Sequence, residues 1–460
     1  MEQINEQRDP TLEKPVTIGF LFKFALPTMI SMMGMGIFGV VDGIFAARYI
    51  DAYALSAVGL VMPFIMFALS IGFMLGIGGN ALVAKEVGEG QIEYARKDFT
   101  LISIASFIVS IFLVSLGLLF PDIILNILGV DAEVYDISRE YLMVILPFLP
   151  LGAMGTVFQQ FMMTEGKAHI SMVATVGSGL LGVLLNYIFI YQMHMGLTGA
   201  GLSTGIAYAL PAFTGLIFFI FNKKGILYFV RPKLKLFVLK RSATNGLSEM
   251  IAMMSASITS TLMNNVLMDL DGPMAVAAVG VVMGVNGLVI NAFIGFSAGI
   301  APITSYNYGK GDEQNLKKLF RRGLSIVVSI AVSLSVLVFI FTDRLISIYE
   351  IEPMAYIGGV IVTLPVYHMA FTGIRLMTFG FVFMAINNFA SAFFTSLNDG
   401  RISGVISLCN GFVFIISFVL LFSNFWGVDG VLMALPAADA ATVVVTAFLL
   451  FKFRKKFKYA

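Results

Sequence analysis

LISIASFIVSIFLVSLGLLF, residues 101–120, runs from end to end without a charge or a proline. About 20 consecutive apolar residues carry a helix across the hydrocarbon of a bilayer. The stretch lacks the period-two alternation that a barrel strand requires. It is one of a series. Of 460 residues 58% are apolar and 12% charged, roughly half the charged share of about 25% usual in soluble domains. The chain reads as an all-α integral membrane protein.

Twelve transmembrane helices are expected, near 22–46, 54–84, 98–120, 138–163, 170–192 and 197–221, then near 244–268, 274–306, 320–341, 356–395, 402–424 and 428–452. Around them lie an N-terminal tail (1–19), a first lobe (20–221), a linker (222–243), a second lobe (244–453) and a basic tail (454–460). Residues 1–19 are polar and mixed in charge, and the run behind them is long enough to span, so no cleavable signal peptide is expected. With both termini inside, only Arg48, Arg139, Arg344 and Arg375 of the 29 basic residues fall outside or near the outer ends. The linker is densest in positive charge, from Lys223 to Arg241, while the loop with Asp122, Asp131 and Glu133 has no base. That asymmetry places both termini in the cytoplasm. It also accounts for the basic clusters without nucleic acid.

The two halves echo each other. Ala57-Val58-Gly59-Leu60-Val61-Met62 is matched by Ala278-Val279-Gly280-Val281-Val282-Met283, and Gly88-Glu89-Gly90 by Gly309-Lys310-Gly311, both at an offset of 221. Gly166-Lys167 pairs with Gly400-Arg401, and Gly196-Leu197-Thr198-Gly199 with Gly427-Val428-Asp429-Gly430. Six helices per half bring both halves into the membrane in the same direction. They are parallel repeats about an axis along the membrane normal, a plan used by carriers that rock two lobes about a central site.

Reactive constellations are missing. Cys409 is the single cysteine, so no intramolecular disulfide and no cysteine-built metal site can form. His169, His194 and His368 are scattered, and no HExxH, Walker or Gly-x-Ser-x-Gly pattern occurs. A transporter is favoured over an enzyme, and no cofactor is expected. Acids inside apolar spans cost about 2.5–3.5 kcal/mol each on insertion scales, so they need a reason. Three occur: Asp42 deep in the first span, Glu249 about a turn into the seventh, and Asp439 three residues after Pro436 in the twelfth. Asp42 reads as an ion site or as a hydrogen-bonded structural acid. Glu249 reads as a cavity group or as a charge answering a helix N-terminus. Pro436 with Asp439 suggests a kink facing a cavity. In the tenth span His368, Arg375 and Asn387 are further cavity candidates. The abundant Met and Phe suit a pocket for flat lipophilic cations.

VVDGIFAARYIDAYALSAVGLVMP (40–63) resembles the first-helix signature of the multidrug and toxic compound extrusion (MATE) transporters, and LNYIFI with MGLTGAGLSTGIA (185–207) resembles the fifth-to-sixth-helix stretch. The resemblance spans residues 20–453. It implies two pseudo-symmetric six-helix lobes and a cation-coupled multidrug efflux antiporter of a bacterial plasma membrane, exporting small lipophilic cations as a monomer. By position Asp42 matches the cation-coupling aspartate, and would ligate the ion if that ion is Na+. Thr204 and Tyr141 match the sixth-helix threonine and a fourth-helix tyrosine. Asn186 replaces a fifth-helix acid, Gly182 stands one turn earlier where an asparagine occurs, and helix ten has no acid. H+ and Na+ therefore both stay open as coupling ion. A lipid-linked oligosaccharide flippase of the same superfamily is the alternative, with Arg375 its clearest cavity cation; a membrane enzyme or scaffold is the remaining class.

Overall fold

A computed structural model of the chain describes residues 12–50, 52–130, 132–349, 354–357, 360–363 and 365–460. The first lobe holds α1 (Ile18–Tyr49), α2 (Ala52–Gly88), α3 (Ile92–Leu119), α4 (Tyr135–Thr164), α5 (Ala168–Gln192) and α6 (Gly196–Phe221). The second holds α7 (Leu236–Asp271), α8 (Pro273–Lys310), α9 (Glu313–Ile340), α10 (Pro365–Ser396), α11 (400–426) and α12 (428–457). Short helices Pro121–Ile127 and Thr342–Ser347 lie on the face opposite the basic loops. A two-stranded antiparallel ribbon, β1 (Met354–Ile357) and β2 (Val360–Thr363), precedes α10.

Among the described residues ten segments are long and apolar enough to cross a membrane. The last of them, Gly400–Phe457, breaks at Gly427, whose φ of 56° and ψ of −132° leave the helical region and divide α11 from α12. α7 has the length to cross, but its serines, threonines and asparagines keep it out of that set. Two expected boundaries are corrected. The tenth helix starts at Pro365 rather than near 356, because proline is favoured at a first helical position and the preceding residues pair as strands. The seventh starts at Leu236, inside the stretch expected to be linker.

Local chemistry explains the interruptions. Pro147 and Pro150 in Leu146-Pro147-Phe148-Leu149-Pro150 remove donors from the ladder, and α4 tightens there into a 3-10 turn over Leu146–Phe148. α5 ends in a π-helical turn, Tyr187–Gln192, and α11 contains another, Cys409–Phe414. The internal repeat is visible in the backbone. Gly90 and Gly311 take φ of 79° and 73°, and Gly196 and Gly427 take 57° and 56°. These are left-handed conformations that glycine adopts without steric cost.

The lobes meet through α1 and α2 of the first and α7 and α8 of the second. A Cβ on Gly246 would collide with the Met74 carbonyl, and one on Gly78 with the Ser242 carbonyl. A Cβ on Gly299 would lie 2.8 Å from Ala25 Cα. The offset of 221 carries Gly78 onto Gly299 and Ala25 onto Gly246, so these are one contact and its symmetry mate. A second reciprocal pair lies at the helix ends, where Gly88 abuts the Tyr306 carbonyl and Gly309 the Lys85 carbonyl. All of these contacts stand toward the face bearing the basic loops, which they close.

Part of the linker belongs to the first lobe. Glu165 at the end of α4 accepts hydrogen bonds from the Ile226 and Leu227 amides at 2.9 and 2.8 Å, and buried Arg96 donates to the Ile226 carbonyl at 2.8 Å. Lys235, just before α7, pairs with buried Asp98 at 3.4 Å. The Gly246→Ala variant is expected to lower the unfolding midpoint in detergent, since overpacking a tight contact costs about 1–3 kcal/mol. Gly280→Ala, at a glycine with nothing within 4 Å of the added methyl, is the matched control and should not.

Candidate functional site

The main cavity lies within the second lobe, bounded by α7, α8, α10, α11 and α12 and closed on one side by Ile77, Asn80, Ala81 and Gln160 of the first lobe. The free space between its walls, open solvent at the mouth included, is about 1530 Å³. Its described wall sets six amides, seven hydroxyls and two carboxylates, Glu249 and Asp439, among apolar side chains, with no Lys, Arg or His.

Asp439 is held by neighbours from two other helices, α11 and α10. Its Oδ1 accepts a hydrogen bond from Asn410 Nδ2 at 2.8 Å, and its main-chain carbonyl accepts one from Asn387 Nδ2 at 2.9 Å. Asn387 Oδ1 in turn accepts from Thr446 Oγ1 at 2.8 Å. Pro436 lines the cavity with Asp439, and its ring sits 2.9 Å from where a Cβ on Gly380 would be, so α10 and α12 approach closely there. Asn410 belongs to the π turn of α11, an irregularity found most often at functional sites. Glu249 sits thirteen residues after Leu236, more than three turns into α7. It cannot answer the helix N-terminus, whose field fades within a turn. Among the described residues it has no hydrogen-bond partner, and its carboxylate borders the cavity. Gln160 and Ser297 also present buried polar atoms there with no partner among the described residues.

The remaining candidates separate into three groups. Tyr141, Asn186 and Thr204 gather in the first lobe around α6. Tyr141 is buried, its ring 3.5 Å from where a Cβ on Gly201 would stand. Asn186 is buried and accepts a hydrogen bond from Ser203, while neighbouring Thr204 is half-buried. Asp42 falls within α1, but its side chain lies outside the described residues. His368 and Arg375 do not reach the cavity wall. His368 is exposed beside Thr372, 3.2 Å from its hydroxyl, and the Arg375 guanidinium lies over the rings of Phe371 at 4.1 Å and Phe339 at 4.6 Å. Arg375 stays where an aromatic sandwich stabilises a cation and faces α9 instead of the cavity. Sequence reading missed Asn410, Ser203, Gln160 and Thr446. Each is a polar side chain in an otherwise apolar span, the same signal that singles out Asn387.

Residues 27–188 and 249–421 match the family described as MatE. The chain belongs to that family, whose members are secondary transporters and not enzymes. It is 21% identical over 440 residues to multidrug export protein MepA of Staphylococcus haemolyticus, covering 95% of this chain and 94% of that one. With MepA of Staphylococcus saprophyticus it shares 22% over 453 residues, 96% of each chain. The fold matches an outward-facing multidrug resistance MATE family transporter of the MOP superfamily, with a TM-score of 0.87, 19% identity and 96% of each chain covered. It also matches MATE in complex with MaL6, with a TM-score of 0.87, 20% identity, 96% of this chain and 97% of that one.

Asn410→Ala removes the donor to Asp439. Leaving a buried acceptor without its donor costs about 1–3 kcal/mol, so the variant should melt measurably lower than wild type in detergent. Asn424→Ala on the same helix, exposed and bonded only to its own helix carbonyl, should melt as wild type.

Proposed function

We propose that this chain is a multidrug efflux antiporter of a bacterial plasma membrane that exports lipophilic cationic compounds by alternating access, driven by H+ or Na+. One observation carries the reading: a large, mostly apolar cavity whose only charged wall groups among the described residues are two carboxylates. Apolar walls accept the body of such a substrate, and the acids favour its charge. The names of the MepA relatives support drugs as the substrate class. A flippase for a pyrophosphate-linked sugar needs cations in this space. Arg375, the side chain best placed by sequence to supply one, faces the phenyl rings of α9 and α10.

The basic loops and both termini lie in the cytoplasm, and the chain crosses the membrane twelve times, with α7 as one crossing and α11 and α12 as two. With the lobes closed at the basic face, the conformation is outward-facing. Asp42 is the coupling site, on the strength of its flanking sequence, with Tyr141, Asn186 and Thr204 as its neighbourhood. Ion entry there and drug binding in the cavity must favour opposite states, because a ligand shifts a conformational balance only by its unequal affinity for the two.

Ethidium efflux from proteoliposomes under a proton gradient and, separately, a sodium gradient tests the proposal. Efflux under one gradient, abolished in Asp42→Asn with the protein still present in the membrane, is expected. Efflux that survives Asp42→Asn removes the assigned coupling site, and no efflux under either gradient removes the antiport reading. Glu249→Gln and Asp439→Asn are each expected to raise the ethidium concentration for half-maximal transport roughly tenfold, about 1.4 kcal/mol. A neutral substrate should be transported as before.

A further inference from the structure

α11 carries four aromatic side chains on one spiral: Phe414, Phe418, Phe422 and Trp426. Phe414 and Phe418 stack with centroids 6.1 Å apart and planes 23° from parallel, Phe418 and Phe422 at 5.2 Å and 10°. Trp426 stands edge-on to Phe422 at 5.2 Å. The three phenyl rings are half-buried and Trp426 is 57% exposed, so the row is neither sealed in the core nor wholly turned to lipid. A spacing of four residues advances about 40° per step around a helix. The row therefore winds slowly along α11 for roughly 24 Å from Asn410 to Trp426.

Its two ends are chemically alike. At the inner end Asn410, four residues before Phe414, lines the cavity and holds Asp439. At the outer end, just past the Gly427 break, stands exposed Asp429. From Ile402 to Phe451 the sequence contains no Lys, Arg or His. A row of ring faces bracketed by carboxylates, with no cation in the sequence between Arg401 and Lys452, suits one kind of occupant, a flat aromatic cation.

We propose that the Phe414–Phe418–Phe422–Trp426 face of α11 is a binding track along which flat aromatic cations pass between the cavity and the far membrane interface. It selects them over non-aromatic cations of similar lipophilicity. The inference deepens the efflux reading and rests on it for the direction of travel, but binding to the track does not require transport. Stacking on a ring is available to ethidium and denied to tetrabutylammonium, which retains only the attraction of its charge.

The test compares wild type with Phe418→Leu/Phe422→Leu, which keeps apolar bulk and removes two ring faces, and with Phe418→Tyr/Phe422→Tyr, which restores them. The leucine variant is expected to bind ethidium roughly three- to tenfold more weakly, read as fluorescence enhancement on the purified protein in detergent, and to export it correspondingly less well from proteoliposomes. Tetrabutylammonium export, which loses only the attraction of the charge to the rings, should be weakened clearly less than ethidium export, and the tyrosine variant should recover. Equal losses for both cations, or loss without recovery in tyrosine, would mean that the rings serve packing alone and would overturn the track. So would unchanged ethidium binding in the leucine variant. If wild type exports neither cation, the efflux reading fails, while the binding comparison still decides the track.

Discussion

Two backbones can touch only where no side chain stands between them, and that constraint organises this molecule. The lobes meet where Gly78 of α2 faces Gly246 of α7, where Gly299 of α8 faces Ala25 of α1, and where Gly88 and Gly309 abut each other's helix ends. Lipid provides no hydrophobic drive to press helices together, so association depends on close packing between small residues. The contacts are reciprocal through the internal repeat, hence a single rotation about one axis makes or breaks all of them together. A residue with bulk on either side would hold the lobes apart. Everything above that seal, including the cavity floor formed by Asn80, Ala81 and Gln160, depends on it.

The cavity obeys a second rule, that a polar group carried into a membrane protein must find partners. Asp439 finds Asn410, and the carbonyl of the same residue finds Asn387. Thr446 completes the chain of bonds. This fixes one carboxylate on a rigid wall, while Glu249, without a partner among the described residues, keeps its acceptors for whatever enters. One acid is oriented and the other is available, which suits recognition of cations that vary in shape.

The membrane class, the twofold repeat, the segregation of positive charge and the two acids that the structure places on the cavity wall, Glu249 and Asp439, are legible in the sequence, because each is a matter of composition or spacing. The two glycine pairs at corresponding turns, Gly90 with Gly311 and Gly196 with Gly427, keep left-handed backbones that the repeat anticipates. What spacing cannot show is which way a side chain turns. Arg375 and Asn387 lie on one helix twelve residues apart. One rests between phenyl rings against α9, and the other joins the Asp439 network. Their surroundings are decided by α9 and α12, which no local pattern in α10 encodes. Helix starts were also misjudged where polar sequence continues a helix, as in Leu236 to Thr244, since hydropathy registers the membrane rather than the helix. Asn186 takes its hydrogen bond from Ser203, a hydroxyl one position before the Thr204 that the resemblance points to.

A seal that must open in every cycle has to be specific without being strong. Across it, Asn245 Nδ2 reaches the Gly78 carbonyl at 3.3 Å and the Thr395 carbonyl at 3.0 Å, and Asn398 Nδ2 reaches the Ala81 carbonyl at 3.0 Å. The bonds to Gly78 and Ala81 cross between lobes, and a neutral bond of this kind contributes only about 0.5–1.5 kcal/mol net. Both amides lie on second-lobe elements and both acceptors are main-chain carbonyls of α2, so this part of the seal is one-sided although the glycine contacts around it are symmetric. Main-chain carbonyls can be met by water when the lobes part, with little left unsatisfied. Buried ion pairs would behave differently, because separating them strands charges at a cost of about 3–5 kcal/mol. Close glycine packing supplies the register, weak amide bonds confirm it, and the balance between open and closed stays within reach of the unequal binding of an ion and a drug.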